Sequence, residues 1–301
     1  MALLEAACDL CGGTAFEVRY HATIPATSSD PALYYSSSRL HAGHLQIVRC
    51  QECGLVMTNP RDDPETLRQV YTALQDPVYD IEEHNRRRTA LDHLKFVNRH
   101  LSPAARLLDV GCSTGFFLAE AQAAGWQVTG IEPSTWAAQL AQQRLPGAQI
   151  HPAALEEIDF APQAFEAVTL WDVLEHVASP TQVLQRLEAW LSPGGWLFLN
   201  VPNIDSWQAH WMGRRWVLLL REHLWYYSPA TLQATLAKTG FEMISVRPNY
   251  VWFSIENVLR RAAQYPGILK SSAQVFLKSD RLKRLSIHFA MGEMQVAARK
   301  Q

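Results

Sequence analysis

The chain has 301 residues, a formal net charge of −2, 48% hydrophobic residues and 19% charged residues. Those proportions fit a soluble globular protein and leave room for one large α/β domain with an appendage. So small an imbalance argues against a broad phosphate-contacting nucleic-acid surface. Glu5 and Cys8 interrupt the N-terminus before any apolar signal-peptide core develops, and the apolar run from Trp216 to Leu220 is too short to cross a bilayer. The expected location is therefore the cytoplasm.

In chain order, the first 60 residues are turn-rich and carry two Cys-x-x-Cys knuckles, Cys8/Cys11 and Cys50/Cys53, separated by 38 residues. Two residues between ligands let both thiolates of a knuckle face one tetrahedral Zn²⁺, and the glycines after Cys11 and Cys53 relieve the turns. Two knuckles make a closed, structural four-sulfur site. His21, His41 and His44 lie in the interval as alternative ligands. Asp62, Pro64 and Glu65 open a predicted helix with an apolar stripe of Leu67, Val70, Tyr71 and Leu74. A second helix is expected from Glu82 to His100, with Leu91, Leu94 and Val97 on its buried face and Arg86, Arg87 and Arg88 on a solvated one.

From Arg106 the pattern becomes strand, glycine turn, helix, strand. Predicted strands are Arg106–Val110, Gln127–Glu132, Ala148–His151, Ala164–Trp171 and Trp196–Val201, with helices over Phe116–Ala124 and Trp136–Arg144. Phe241–Arg247 and Met294–Ala298 add two late strands. This alternation indicates a doubly wound, mostly parallel sheet. The organisation expected is a module with lid over residues 1–80, then a core over 81–301 with insertions at about 203–230 and 250–288.

The most informative stretch runs from Leu107 to Phe117. An apolar strand ends at Asp109 and Val110, and Gly111 to Gly115 turn tightly into a helix whose first amides can meet a carboxylate. Ser113 and Phe116 stand where a dinucleotide loop has glycines. Glu132, 23 residues after Asp109 at the end of the next strand, can accept both hydroxyls of a ribose.

These segments, with Phe165–Val177 and Leu191–Asn203, resemble the motifs of class I S-adenosylmethionine methyltransferases over about residues 100–250. The resemblance implies an α/β, Rossmann-like, doubly wound, seven-stranded mostly parallel sheet with a small N-terminal zinc-binding module. It implies S-adenosyl-L-methionine as cofactor, its methionine end held by Asp109, Gly111 and Gly115 and its ribose by Glu132. Ala154 and Leu155 would flank the adenine, and Cys112, Ser113, Phe116, Pro133, Trp171 and Asp172 complete the implied cofactor set. The segment from Cys50 to Arg61, with Tyr71 downstream, is similar to the zinc-ribbon leader of bacterial methyltransferases in sugar and natural-product pathways. By that analogy residues 20–45 and Tyr71–Tyr79 form a lid over a small-molecule acceptor.

Methyl transfer needs an aligned acceptor and, for many acceptors, a base. His176, after the fourth strand, is one candidate, with Glu175 beside it at the start of a helix. His223 is the other: Glu222, His223 and Tyr226 resemble the Glu-His-x-x-Tyr segment of deoxysugar C-methyltransferases. In a competing reading Ser228 and Pro229 simply start the next helix. Trp207, Trp211, Trp216, Trp225 and Trp252 form either an acceptor pocket or ordinary core. The basic-apolar stretch 268–288 reads as a lid or dimer helix in preference to a membrane-surface one. The reaction expected is O- or C-methylation in a biosynthetic or tailoring pathway, with a macromolecular acceptor read by the zinc module as the alternative.

Overall fold

The computed structural model describes residues 3–26, 34, 43–76, 82–263, 271, 276–277, 279 and 285–301. His41, Tyr79, most of the expected lid and the basic residues from Lys270 to Arg284 lie outside the described residues.

The N-terminal part contributes strands β1 (Leu3–Leu4), β2 (Phe16–Tyr20), β3 (Ile47–Cys50), β4 (Val56–Thr58) and β5 (Arg61–Asp62), then helix α1 (Pro64–Ala73). Asp63 caps α1 by accepting from the Thr66 amide at 3.0 Å, and Pro64 fits the first turn, where no amide partner is needed. Helix α2 (Glu83–Val97) follows. Leu94 and Val97 face inward as expected, whereas Leu91 is 40% exposed and Ala90 is buried in its place. The arginine run also divides: Arg87 is exposed and paired with Glu120, the Arg88 guanidinium lies 3.2 Å from the centre of the Trp252 ring, and Arg86 faces a cavity.

The core then alternates strands and helices: β6 (Arg106–Val110), α3 (Phe116–Ala123), β7 (Gln127–Ile131), α4 (Thr135–Arg144), β8 (Gln149–His151), β9 (Phe165–Trp171), α5 (Pro180–Trp190) and β10 (Leu191–Pro202). After it come α6 (Trp207–Met212), β11 (Trp225–Tyr226), α7 (Pro229–Lys238), β12 (Phe241–Pro248), β13 (Val251–Ser254), α8 (Ile255–Ala262), β14 (Ser286–Phe289) and β15 (Glu293–Lys300). Seven of these strands make one sheet in the order β12-β15-β10-β9-β6-β7-β8. All neighbours are parallel from β10 to β8, and β15 runs antiparallel to both β10 and β12.

Successive strand side chains point to opposite faces, and both faces of this sheet are covered. Leu108, Val110, Val168, Leu170, Leu197 and Leu199 pack on one side with α5 and α7 residues such as Leu184 and Leu232. Leu107, Ala167 and Phe198 pack on the other with Leu94, Val97, Leu118 and Ala121 from α2 and α3. Each fully buried Leu or Val stabilises the fold by about 1.5–3 kcal/mol relative to exposure.

The stretch 203–230 does more than decorate this core. Strand β11 pairs antiparallel with β4, giving a second sheet of order β11-β4-β3-β2 that joins this stretch to the N-terminal strands. Beside it, Arg221 donates through Nη2 and Nε to Asp62 at 2.8 and 3.0 Å, and the Tyr34 hydroxyl donates to Asp62 at 2.7 Å. Both charged side chains are fully buried. Among the described residues no helix is long and apolar enough to cross a membrane.

Candidate active site

In an open α/β sheet the ligand crevice lies at the carboxyl ends of the strands, where the winding order reverses. Here that point falls between β6 and β9, because β7 and β8 extend the sheet one way from β6 and β9 and β10 the other. A cavity of about 940 Å³ opens there. One wall comes from the turn after β6 and the end of β7; the other comes from the turn after β9, from β5 and α1, and from Glu222.

The first wall is shaped by backbone. Gly111 and Gly115 have φ of 72° and 83°, and Ser113, where the resembled family usually has a glycine, is also left-handed at 49°. A Cβ on Gly115 would press on Ala141 and Leu145 of α4 at 3.0–3.2 Å, so this glycine serves helix packing as well as the turn. The Glu132 carboxylate accepts the amides of Ser113 and Ser134, each at 2.8 Å, which locks it beneath the turn. Burial pushes it up to about 7. Asp109 accepts the Thr169 hydroxyl at 2.6 Å and is pushed up to about 8, by burial first and then by the Glu132 charge.

Pro133, Ala154 and Leu155 line the same side. Cys112 lines it too, but its sulfur would lie 2.7 Å from a Cβ on Gly130, so the thiol packs inward. Phe116 is covered by the Arg144 guanidinium at 3.9 Å. Trp171 stacks on His93 at 4.1 Å, and its buried Nε1 has no hydrogen-bond partner. Asp172 has φ of 56°, a strained conformation of the sort found at ligand clamps, with its amide held by Asn200 at 2.9 Å.

The opposite wall holds the titratable groups. His176 Nδ1 lies 3.0 Å from the Glu222 carbonyl and 2.9 Å from the Tyr71 hydroxyl. In the tautomer whose Nδ1–H donates to the Glu222 carbonyl, Nε2 keeps its lone pair. Burial pushes this imidazole down to about 4. Glu222 lines the cavity; both its carboxyl oxygens are buried without a partner, and burial pushes it up to about 8.

His223 and Tyr226 do not reach the cavity. The loop before β11 folds back so that His223 Nδ1 meets the Leu218 carbonyl at 2.9 Å, and its ring packs edge-on behind His176, 4.8 Å between centroids. The Tyr226 hydroxyl bonds to the backbone of Leu220 at 3.3 Å, completely buried. Ser228 caps α7, as the competing reading of that segment required. None of the five tryptophans lines this cavity: Trp216 and Trp225 are fully buried, Trp252 stacks on His288 at 4.3 Å, and Trp207 and Trp211 are 71% and 81% exposed. Tyr71 and Arg61 are among the cavity residues to which sequence reasoning gave no catalytic or cofactor role, Tyr71 being read as helix stripe and lid and Arg61 as part of a leader motif.

A family model described as "Methyltransferase domain" matches residues 82–246, more than half of the chain. The chain belongs to that family. Among curated proteins, the ubiquinone biosynthesis O-methyltransferase of Chromobacterium violaceum is 36% identical over 126 residues, 38% of this chain and 51% of that protein. That of Xanthomonas axonopodis pv. citri is 35% identical over 125 residues, covering 36% and 48%. The chain spans about half the length of these curated relatives. Among solved structures, an S-adenosylmethionine-dependent methyltransferase of Thermotoga maritima aligns at TM-score 0.47 and 17% identity over 72% of this chain and 92% of that one. The [4+2]-cyclase SpnF aligns at 0.49 and 22%, over 71% and 80%.

The methyltransferase domain so defined begins after the knuckles, Arg61 and Tyr71. In that preceding part, one sulfur each from Cys8, Cys11, Cys50 and Cys53 lies within 4.8 Å of the others, with Cys8–Cys53 and Cys11–Cys50 each at 3.5 Å. Sulfurs about 2.3 Å from one tetrahedral zinc stand roughly 3.8 Å apart, so the four thiols have the spacing of a closed site. His44 is no part of it, its Nδ1 bonding the Leu45 carbonyl at 2.7 Å.

Proposed function

We infer that this methyltransferase uses S-adenosylmethionine to methylate a hydroxyl oxygen of a small-molecule acceptor in a biosynthetic pathway, and that its four cysteines hold one structural zinc. The reading rests on one observation: a single cavity has a fixed carboxylate, Glu132, beneath a glycine turn on one side and an imidazole with a free Nε2, His176, on the other. The names of the curated relatives support oxygen as the methylated atom and a small biosynthetic intermediate as the acceptor.

The residues present fit the cofactor. Glu132 offers two carboxylate oxygens to the ribose hydroxyls, already oriented by two backbone amides. Asp109 and the left-handed turn from Gly111 to Gly115 would hold the amino-acid end, and Ala154 and Leu155 supply an apolar side for the adenine. When bound, S-adenosylmethionine supplies an electrophilic methyl group on a sulfonium sulfur. His176 Nε2 takes the acceptor's hydroxyl proton as that oxygen becomes the nucleophile, and Nδ1–H, held by the Glu222 carbonyl, fixes the ring's tautomer. Tyr71 and the walls above it orient the acceptor and exclude water.

Calorimetric titration of the folded, zinc-replete chain with S-adenosylhomocysteine tests the cofactor half of this reading. An absence of heat would sink it. Transfer of labelled methyl to a panel of catechols and other phenols tests the acceptor half.

A further inference from the structure

Resting on that reading, we propose that Arg61 anchors an anionic oxygen group, a carboxylate or phosphate, carried by the methyl acceptor. Arg61 lies on β5, directly after the cysteine-bearing sheet and outside the methyltransferase domain proper. It lines the main cavity at only 8% exposure. One hydrogen bond holds its five-donor guanidinium, from Nη2 to the Ala178 carbonyl at 3.1 Å, and its flat face lies 4.5 Å from the centre of the Trp225 ring. Nη1 is buried with no partner. Among the described residues no carboxylate forms an ion pair with it.

A buried arginine without a counter-ion costs stability unless something supplies the missing charge. This chain satisfies a buried arginine fully where the role is structural: Arg221, close by, has Asp62 and Tyr34. Two other cavity arginines each have a carboxylate within reach: Arg68 pairs with Glu65, and Arg186, whose Nε is also buried without a hydrogen bond, bonds the Ile158 carbonyl and lies 3.9 Å from Asp159. The one carboxylate whose charge reaches Arg61 is Asp9, and both its oxygens are already taken at the start of α5, by the Ser179 hydroxyl at 2.6 Å and the Thr181 amide at 2.8 Å.

Position decides which part of a ligand would answer that charge. Ala178, to which Arg61 is tied, lies two residues beyond His176 on the same turn. The cation therefore stands on the acceptor's side of the cavity, across from the Glu132 turn. Fixed by the cysteine-bearing sheet, it would admit acceptors that bring an oxyanion and reject matched neutral ones, because the neutral compound leaves the guanidinium's charge without a counter-ion.

The test titrates the full zinc-bound chain, free and saturated with S-adenosylhomocysteine, with benzoate, inorganic phosphate and the neutral isostere benzamide. Benzoate or phosphate should bind at millimolar concentration and benzamide at least ten-fold more weakly. Which anion binds distinguishes carboxylate from phosphate. Arg61→Met should weaken anion binding roughly 10- to 100-fold and erase the preference, with cofactor-product affinity unchanged. Arg61→Lys, which keeps the charge, should retain part of the preference; circular dichroism and zinc content check the folding of both. Equal binding of benzoate and benzamide, no anion binding, or a preference that survives Arg61→Met overturns the proposal. Loss of S-adenosylhomocysteine affinity in Arg61→Met also overturns it, reassigning the arginine to the cofactor's own carboxylate. A wild-type chain that never binds S-adenosylhomocysteine sinks the methyltransferase reading instead, and the anion titration of the free protein still decides Arg61.

Discussion

Replacing Glu132 by Gln isolates the charge that is proposed to hold the ribose. Each carboxylate oxygen accepts one backbone amide at 2.8 Å, from Ser113 and from Ser134. A carboxamide has one acceptor oxygen, so one of the two amides would face an NH₂ group and lose its partner. That costs the free protein about 1–3 kcal/mol. The bound state loses more, because hydrogen bonds from ribose hydroxyls to an ionised group are each worth about 1.5–3 kcal/mol. Glu132→Gln should therefore weaken S-adenosylhomocysteine binding roughly 10- to 1000-fold. Protons provide the sharper readout. Burial holds Glu132 at about 7 in the free protein, and the ligand favours its ionised form, so binding near pH 6 must release a proton. Glu132's contribution to affinity should fall about ten-fold for each pH unit below 7, on top of any fall owed to Asp109. Calorimetry in buffers of different ionisation enthalpy counts the protons released. The variant should release about one fewer near pH 6, leaving only the share owed to Asp109, which is pushed up to about 8. Equal proton release from the two proteins would refute the assignment of Glu132 to the ribose.

Three further outcomes are expected. His176→Ala should lower kcat about 10²- to 10⁴-fold with cofactor-product affinity intact, and His223→Ala, one layer behind, should stay within about ten-fold of wild type. Since His176 is held down at about 4, the acid limb of kcat/KM for the acceptor, at saturating S-adenosylmethionine, should lie near that value, and a limb near 6.5 would remove it as the base. Metal analysis should find about one zinc per chain and none in the Cys8→Ser, Cys11→Ser double variant, with loss of zinc lowering Tm. Arg221→Met leaves Asp62 buried and unpaired and should cost about 3–5 kcal/mol in urea unfolding, while adding Asp62→Ala should recover part of that loss; additive losses would show that the two charges do not interact.

The core of the domain was legible because each of its elements obeys a local rule. Arg106–Val110 is apolar on both faces and ends at a glycine turn, and the structure begins and ends that strand at the same residues. The juxtaposition of Asp109, Gly111, Ser113, Gly115 and Glu132, proposed to hold the cofactor, was equally readable, since they belong to one strand–turn–helix–strand unit whose local geometry brings them together. The opposite wall was not. Tyr71 meets His176 across 105 residues of sequence, and Arg61 meets Ala178 across 117, so no periodicity joins either pair. Leu91 went astray for a smaller reason: several registers of α2 carry apolar residues, and packing against α3 and β13 selects among them. His223 became a candidate base on a sequence phrase alone, and a phrase cannot say which of two adjacent residues, Glu222 or His223, the fold turns toward the cavity.

That division of labour has a physical consequence. The turn proposed to hold the cofactor is built on the central sheet with one tie to the end of α1, where the Ser134 hydroxyl donates to the Leu74 carbonyl at 2.7 Å, whereas the proposed acceptor wall is assembled from both ends of a long detour in the chain. Strand β4 continues through Thr58, whose hydroxyl donates to the His223 carbonyl at 2.8 Å, into Arg61 and Asp62, which grip Ala178 and Arg221. The next helix delivers Tyr71 to His176. A distortion of the four-cysteine cluster, which ties β3 to the N-terminal turn, is thus carried along β4 to the groups proposed to orient the acceptor, and it reaches Glu132 only indirectly. Zinc removal under conditions where the core stays folded should accordingly raise the acceptor KM before it changes the affinity for S-adenosylhomocysteine. If both constants move together, the knuckles support the whole fold and the two walls are not mechanically separate.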